Sequence, residues 1–324
     1  PSDEYLASIS STSKFIFNKL DINQQTNETL EAMAQTIFKS WFVDFDPVRA
    51  KIEAKSAGGD PSRAAMAAIS ACTKVSADGA VLWDETEAAL EQKLAGMSEA
   101  QELQLTRTAE LFPDELGESE VGMVPKGWEN ENLGKICNVQ GGYAFKSKLF
   151  KEQGCPVVKI KNINEDYTVD LKNGQFLSKE DCLDKETYEL NDGDYVLAMT
   201  GATVGKSGII VSNEEKVMLN QRVAKFESDQ FESNINWFIH SAFLATNLKD
   251  QIVNLARGSA QPNISASGIE SANLIIPQKV IIEEFLKIAD PLFKKWIGNY
   301  KQNETLSGLR DTLLPKLISG EVGV

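Results

Sequence analysis

The sequence has one histidine, His240, among 324 residues. Chemistry built on imidazole, as a general base or as a set of metal ligands, has almost nothing to work with. The four cysteines, Cys72, Cys137, Cys155 and Cys182, are scattered and form no CxxC pair. Neither a zinc site nor a disulfide framework is expected, and free thiols point to a cytoplasmic setting. No run of 18 apolar residues and no N-terminal leader pattern occurs, so neither a membrane span nor secretion is implied. There is no Asn-Pro-Pro-Tyr-type motif and no helicase box, and no carboxylate spacing picks out a metal pair. Basic residues are also short: 33 Lys+Arg against 47 Asp+Glu leave a net charge of −14. That balance argues at first sight against a polyanionic partner. The deficit is uneven, however. Residues 1–120 hold 10 basic and 21 acidic residues, residues 121–280 hold 17 and 20, and residues 281–324 hold 6 and 6. A basic face is therefore open to the middle of the chain.

The chain does have an internal repeat. With a constant offset of 276, Pro1 falls on Pro277, Phe17 on Phe293, Lys19 on Lys295, Asn23 on Asn299 and Thr36 on Thr312. The run Asn27-Glu28-Thr29-Leu30 recurs as Asn303-Glu304-Thr305-Leu306. A repeat held in register over 48 residues means two copies of one structural element. Each copy has apolar residues at spacings of three and four: Ile281, Phe285, Ile288, Leu292 and Trp296 in one, and Leu6, Ile9, Ile16, Leu20 and Ile37 in the other. That pattern predicts two long helices able to pair with each other. Asn299 and Asn303 fall near the seam, where a polar residue sets register at some cost in stability. Pro291 predicts a kink or restart, Pro315 an end or bend, and Gly320 a C-terminal cap.

Between the copies the character changes twice. Residues 49–112 are rich in Ala, Glu and Lys, with breaks at Gly58-Gly59-Asp60-Pro61 and Asp78-Gly79, which predicts two or three helices. Residues 113–127 carry Pro113, Gly117, Gly122, Pro125 and Gly127 and read as a linker. From Trp128 to about Ile276 come short strand-like runs at 134–139, 157–163, 174–177, 195–200, 208–211 and 222–226, with one helix over 235–256. The fold class is α+β: a globular domain of mixed strands and helices, flanked by long helices that pair as an antiparallel coiled-coil stem. The expected division is 1–48 helical repeat, 49–127 helical insert and linker, 128–276 globular domain, and 277–324 helical repeat.

Four stretches of the globular domain are rich in polar or basic side chains, three of them together with glycine. Gly201-Ala202-Thr203-Val204-Gly205-Lys206-Ser207 resembles a phosphate-binding loop but has three residues between its glycines, where that motif has four. The run after Lys206, Ser207-Gly208-Ile209-Ile210-Val211, reads as a strand and not as the helix the motif needs, so ATP hydrolysis through Lys206 ranks far down. A loop joining two strands fits better, with Thr200, Thr203 and Lys206 as donors. The other three stretches hold Tyr143, Lys146, Ser147 and Lys148; Asn220, Gln221 and Arg222; and Arg257, Ser259, Gln261 and Asn263. Lys161 and Asn162 close the 157–163 run. Arg and Lys read guanine edges, Asn and Gln read adenine edges, and hydroxyls hold phosphates, so these loops together can line a DNA-facing surface. The same residue types also fill turns for conformational reasons alone.

Several segments resemble the specificity (S) subunit of type I restriction–modification enzymes. They are Gly142-Tyr143-Ala144-Phe145-Lys146-Ser147, Pro156-Val157-Val158-Lys159-Ile160, Gly193-Asp194-Tyr195-Val196-Leu197, Asn220-Gln221-Arg222 and Gly258-Ser259-Ala260-Gln261-Pro262-Asn263. To these are added the run from Leu30 through Trp41 to Phe45 and the closing Leu313-Leu314-Pro315-Lys316-Leu317-Ile318-Ser319-Gly320-Glu321. The family pattern is recognition domain, helix, recognition domain, helix. This chain shows helix, recognition domain, helix, like a C-terminal half, and because Pro1 matches mid-chain Pro277 the expectation is a fragment or processed product. The resemblance implies a non-catalytic, sequence-specific subunit that brings methyltransferase and restriction subunits to a split site on double-stranded DNA. It implies no cofactor on this chain: S-adenosylmethionine, ATP and Mg would be bound by the partner subunits. Phe38, Trp41, Phe42, Leu313 and Leu317 are the expected partner contacts, with a homodimer where one recognition domain is present. The competing expectation is a helical scaffold without DNA specificity of its own.

Overall fold

The computed structural model describes residues 3–71, 74–75, 81–82, 87–257 and 262–319. The chain opens with α1 (Asp3–Lys39), a π-helical turn (Ser40–Asp44), α2 (Asp46–Ala57) and α3 (Pro61–Ala71). A short hairpin of β1 (Lys74–Val75) and β2 (Val81–Leu82) precedes α4 (Glu87–Leu94) and α5 (Glu99–Leu111). Next come β3 (Leu116–Ser119), β4 (Gly122–Pro125), β5 (Glu129–Asn132), β6 (Asn138–Gly141), β7 (Cys155–Val158) and β8 (Gln175–Leu177). After β9 (Glu189–Leu190), β10 (Tyr195–Ala198), β11 (Ser207–Ile209), β12 (Val217–Leu219) and β13 (Val223–Glu227) come α6 (Asn236–Ala245), α7 (Leu248–Leu255) and α8 (Ala266–Glu270). The described residues end with β14 (Asn273–Ile276) and α9 (Lys279–Ser319). Two compact units result. One combines the residues up to Glu31 with those from Pro291 on, and the other is Ala32–Asp290.

In the first unit the helices of the two repeats run antiparallel. Asn23 Nδ2 donates to Asn303 Oδ1 at 2.8 Å, and Asn299 Nδ2 donates to Asn27 Oδ1 at 2.9 Å. Adding 276 turns Asn23 into Asn299 and Asn27 into Asn303, so these are one contact related by a local two-fold axis. The backbone contacts obey the same axis: Asn27 Nδ2 reaches Trp296 O at 3.1 Å, and Asn303 Nδ2 reaches Leu20 O at 3.4 Å. Asn23, Asn27 and Asn299 are buried, as are Ile16, Phe293 and Trp296. The sequence repeat is thus a structural repeat, and both helices begin on equivalent residues, Asp3 and Lys279. The prolines differ from expectation. α9 runs unbroken through Pro291 and Pro315. Each proline forfeits one backbone hydrogen bond, but most of the stability of a long helix comes from its packed face. Gly320 lies outside the described residues.

In the second unit the end of α1 and the π-helical turn deliver Phe38, Trp41 and Phe42 into an aromatic core with Phe112, Phe238 and Phe285. Ring pairs are edge-to-face: Phe38–Phe238 at 5.1 Å, Trp41–Phe112 at 5.1 Å and Phe42–Phe285 at 5.5 Å. Such pairs add about 0.5–1.5 kcal/mol each beyond area burial. This corrects the expectation that Phe38, Trp41 and Phe42 face a partner. All three are spent on the chain's own interior, because a dense aromatic run gains most where neighbouring helices exclude water. The insert also differs. Among the described residues of 46–111 are α2 to α5 and the antiparallel pair β1–β2, and the expected linker is the β3–β4 hairpin, paired Leu116↔Pro125 through Ser119↔Gly122.

Besides a two-stranded sheet of β5 and β14, the strands after β4 form two four-stranded sheets. One has the order β11-β10-β13-β6 and is antiparallel throughout. The other has the order β8-β7-β12-β9, with β7 and β12 parallel. Strand alternation sorts the side chains. Val158, Val217 and Leu219 join Val196, Ala198 and Val223 in one buried layer, while Val157 and Met218 point the other way, into a layer with Phe145, Cys155, Leu177 and Cys182. On the far face of the first sheet, Tyr195 packs against Phe243 of α6 at 5.4 Å. The single expected helix over 235–256 is two, α6 and α7. Thr246 Oγ1 donates to Ala242 O and accepts from Leu248 N, ending one helix and starting the next.

Candidate nucleic-acid interface

The strands of the first sheet converge at one end on four polar loops, three of them with glycine, and the backbone stitches the loops together. Gly142 N donates to Val223 O at 3.0 Å, Tyr143 N to Leu219 O at 2.9 Å, and Gln221 N to Tyr143 O at 3.0 Å. Met199 N reaches Arg222 O at 3.0 Å, and Ile264 N reaches Met199 O at 3.0 Å. Gly201 N reaches Pro262 O at 2.9 Å, and Thr200 bridges Asn263. Glycine is required where two loops touch: a Cβ on Gly142 would lie 2.4 Å from the Asn220 carbonyl. The turn after β7 joins through Asn220 N, which donates to Val158 O at 3.1 Å.

On this stitched edge Lys146, Ser147, Lys148, Thr203, Gln221, Arg222, Arg257 and Asn263 are at least partly exposed, as is Lys161 on the turn after β7. Tyr143 is 37% exposed, its ring 5.3 Å from Tyr188, with Lys185 Nζ 5.2 Å from its centroid. Thr200 is half-buried. Lys206 is half-buried and pairs with Glu165 at 2.9 Å; that hydrogen bond and charge hold the Glu165 carboxyl below the usual range. Gly201–Thr203 is a short 3-10 turn leading to the strand Ser207–Ile209, so no helix N-terminus faces this loop as a nucleotide site requires.

Two expected contacts are corrected. Asn162 is buried: its Oδ1 accepts from Lys159 N at 3.0 Å and its Nδ2 donates to Asp170 O at 2.8 Å, so its amide holds a turn together. Asn220 is 9% exposed beside Tyr143, where the crossing of two loops encloses it. Ser259 and Gln261 lie outside the described residues. Leu313 is 37% exposed and Leu317 half-buried.

Lys185, Tyr188 and Lys159 were missed in the sequence. Lys185 sits between Asp184 and Glu186, where local charge hides it. Lys159 lies 3.6 Å from the Phe150 centroid, and burial, helped by Lys161, lowers its pKa. Chemically, the edge presents two guanidiniums, several ammoniums and amides, and an aromatic ring on a rigid backbone frame. Cations of this kind neutralise phosphates, and amides and guanidiniums discriminate base edges. Among the described residues, no group of three or more His, Cys, Asp or Glu is placed to hold a metal, and no helix is long and apolar enough to cross a membrane.

A family model described as the type I restriction modification DNA specificity domain matches residues 125–304. The type I restriction enzyme HindI specificity subunit of Haemophilus influenzae is 29% identical over 319 residues, which cover 94% of this chain and 64% of that protein. The MjaIX specificity subunit of Methanocaldococcus jannaschii is 23% identical over 326 residues, covering 100% and 60%. The chain therefore spans less than two thirds of the length of these two relatives. Among solved structures, a type I restriction–modification S subunit from M. genitalium aligns with TM-score 0.41 and 15% identity, covering 95% of this chain and 60% of that one. The HsdS subunit from Thermoanaerobacter tengcongensis aligns with TM-score 0.38 and 14% identity, covering 80% and 67%.

Proposed function

Because this chain belongs to the type I restriction–modification DNA specificity family, we propose that it reads double-stranded DNA sequence through the loop edge of its β6–β10–β13 sheet. One observation carries the reading: the loops at 140–148, 199–206 and 219–222 and the described residues 256–257 and 262–264 come from distant parts of the chain, yet are tied by backbone hydrogen bonds into one frame that leaves Lys146, Lys148, Gln221, Arg222, Arg257 and Asn263 exposed. A frame fixed in this way lets Arg222, Arg257, Gln221 and Asn263 discriminate bases, at about 1–3 kcal/mol per good contact. Lys146, Lys148, Lys161 and Lys206 serve the phosphates. Asn162 and Asn220 act from beneath, holding loops in place.

The chain performs no chemistry in this reading. It brings a methyltransferase subunit and a restriction subunit to a site, and those subunits bind S-adenosylmethionine, ATP and Mg. The helix pair, with Leu313 and Leu317, offers the contact to them. A two-part site needs a second recognition domain, which a second copy of this chain would supply.

The test is duplex binding by the chain and its Gln221→Ala, Arg257→Ala and Lys146→Ala variants, over a library and a salt series. Gln221→Ala or Arg257→Ala should relax selection at single base positions. Lys146→Ala should weaken all sequences alike and reduce the salt slope by about one. A methyltransferase complex whose choice of site is unaltered when residues 128–276 are removed would favour the scaffold reading instead.

A further inference from the structure

Beside the stitched edge, the segment 163–169 folds into a fixed turn that spends most of its polar groups on itself. Asn164 N donates to Thr168 O at 2.8 Å, and Asn164 Nδ2 to Thr168 Oγ1 at 2.9 Å. Asp166 Oδ1 accepts from Thr168 N at 3.1 Å and from Thr168 Oγ1 at 2.6 Å. Ile209 N donates to Tyr167 O at 2.8 Å, which lays the turn along β11. Tyr167 gets there with a φ of 61°, a left-handed conformation that a bulky residue keeps only when its surroundings hold it. Glu165 is the group this turn leaves outside, with its side chain 90% exposed.

Two ammoniums share that one carboxylate. Lys206 Nζ lies 2.9 Å from Glu165 Oε1, on a side chain only 22% exposed. Lys249, half-buried on α7, adds its positive charge at Glu165. The two lysines are neighbours because the 201–206 turn rests on α7: a Cβ on Gly205 would lie 2.8 Å from Val253 Cγ2 and 3.6 Å from Lys249 Cγ. Among the described residues Lys249 makes no hydrogen bond or ion pair. The place thus holds two fixed positive charges and one negative charge, and the negative one stands on the surface. An exposed ion pair is weak, so Glu165 yields to an anion with more acceptors. A phosphate is such an anion, and its charge-assisted hydrogen bonds to ammoniums are among the strong ones.

We propose that Lys206 and Lys249 form a subsite for a backbone phosphate of DNA, and that Glu165 occupies it as a built-in competitor in the free chain. That the anion is DNA rests on the reading proposed above; the subsite and its competitor do not. Phosphates carry no base information, so Glu165 lowers the affinity for every sequence alike. Non-specific binding is almost wholly electrostatic, and a competing carboxylate limits it without choosing among sequences.

Duplex binding by the whole chain is measured over a salt series for the parent, Glu165→Gln, Lys249→Met and Glu99→Gln. Glutamine keeps the shape of Glu165 and still accepts from Lys206, so the turn stays while the competing charge goes. Glu99, exposed on α5, gives the same charge change away from the site. Glu165→Gln should bind all duplexes about two to five times more tightly, with a salt slope steeper by about one. Glu99→Gln should match the parent, and Lys249→Met should weaken all duplexes about threefold. Heparin, a sulfated polyanion without bases, separates the two proposals. A heparin affinity that rises in Glu165→Gln and not in Glu99→Gln, with no duplex bound by any variant, would keep the subsite and remove the DNA reading. Duplex binding that is equal in Glu165→Gln and Glu99→Gln, or that strengthens only for selected sequences, would overturn the inference and leave the DNA reading standing. No gain on either polyanion would overturn it as well.

Discussion

Replacing Asn299 by leucine tests the two-fold seam quantitatively. Asn299 is 3% exposed and donates to Asn27 Oδ1 at 2.9 Å. Leucine removes that donor and leaves a buried acceptor unsatisfied, a loss of about 1–3 kcal/mol. The local axis makes Asn23→Leu the equivalent change, since Asn23 is 2% exposed and donates to Asn303 at 2.8 Å. Asn23 Nδ2 also donates to Gln302 Oε1 at 2.8 Å, so Asn23→Leu should cost at least as much as Asn299→Leu. Replacing both Asn27 and Asn299 by leucine removes donor and acceptor together, which is far less costly than stranding either one. The pair should show a coupling of roughly 1–2 kcal/mol. Urea denaturation monitored by far-UV circular dichroism gives the energies, and amide exchange over α1 and α9 locates them. Additive effects of Asn27→Leu and Asn299→Leu, or an Asn23→Leu variant that costs clearly less than Asn299→Leu, would refute the ladder.

Other predictions rest on the same structure. Trp41→Ala should cost about 3–5 kcal/mol in chemical denaturation, because the ring is fully buried against Phe42, Phe112 and Phe285. Asp194 holds its proton to higher pH in the folded chain than in the unfolded one, so its contribution is present below about pH 4 and lost as pH rises through about 6. Asp194→Asn should consequently unfold at a higher temperature than the parent at about pH 7.5, by roughly 1–2 kcal/mol after allowance for solvent, and match it near about pH 3.5. Equal melting at both pH values would contradict that. Lys206→Ala should leave nucleotide binding unaltered; a nucleotide affinity that disappears with it would revive the phosphate-loop reading.

Much of the helical framework was legible because its signals are local or periodic. The 276-residue offset needs no tertiary information, and Asn23, Asn27, Asn299 and Asn303 sit at equivalent positions in both copies. The prolines misled because a local rule met a packed helix: Pro291 and Pro315 sit inside α9 without ending it. β5, with the sequence Glu-Asn-Glu-Asn, has no apolar alternation to betray it and is a strand only because β14 pairs with it. The β3–β4 hairpin hid behind its turn residue, Gly122, whose φ of 111° is what a tight reversal needs. At the candidate site the four loops were visible as polar and basic runs, three of them with glycine. Which amide faces outward was not: Asn162 and Asn220 look like Gln221 and Asn263 in sequence, and only the crossing of β7, Tyr143 and Asp170 over them decides their burial. Asp194 read as a turn residue before β10, and its place in a pocket depends on the end of β13 and the start of α6.

The central claim is that the stitched loop edge reads base sequence. The most direct measurement is a selection from random duplex DNA by this chain assembled with its methyltransferase subunit at a stated salt concentration, repeated with Gln221→Ala and Arg257→Ala. The account predicts an enriched base pattern, as a symmetric pair of half-sites if two copies assemble, with relaxation at individual positions in each variant. A stable assembly that enriches no pattern, or the same pattern in parent and variants alike, would contradict it.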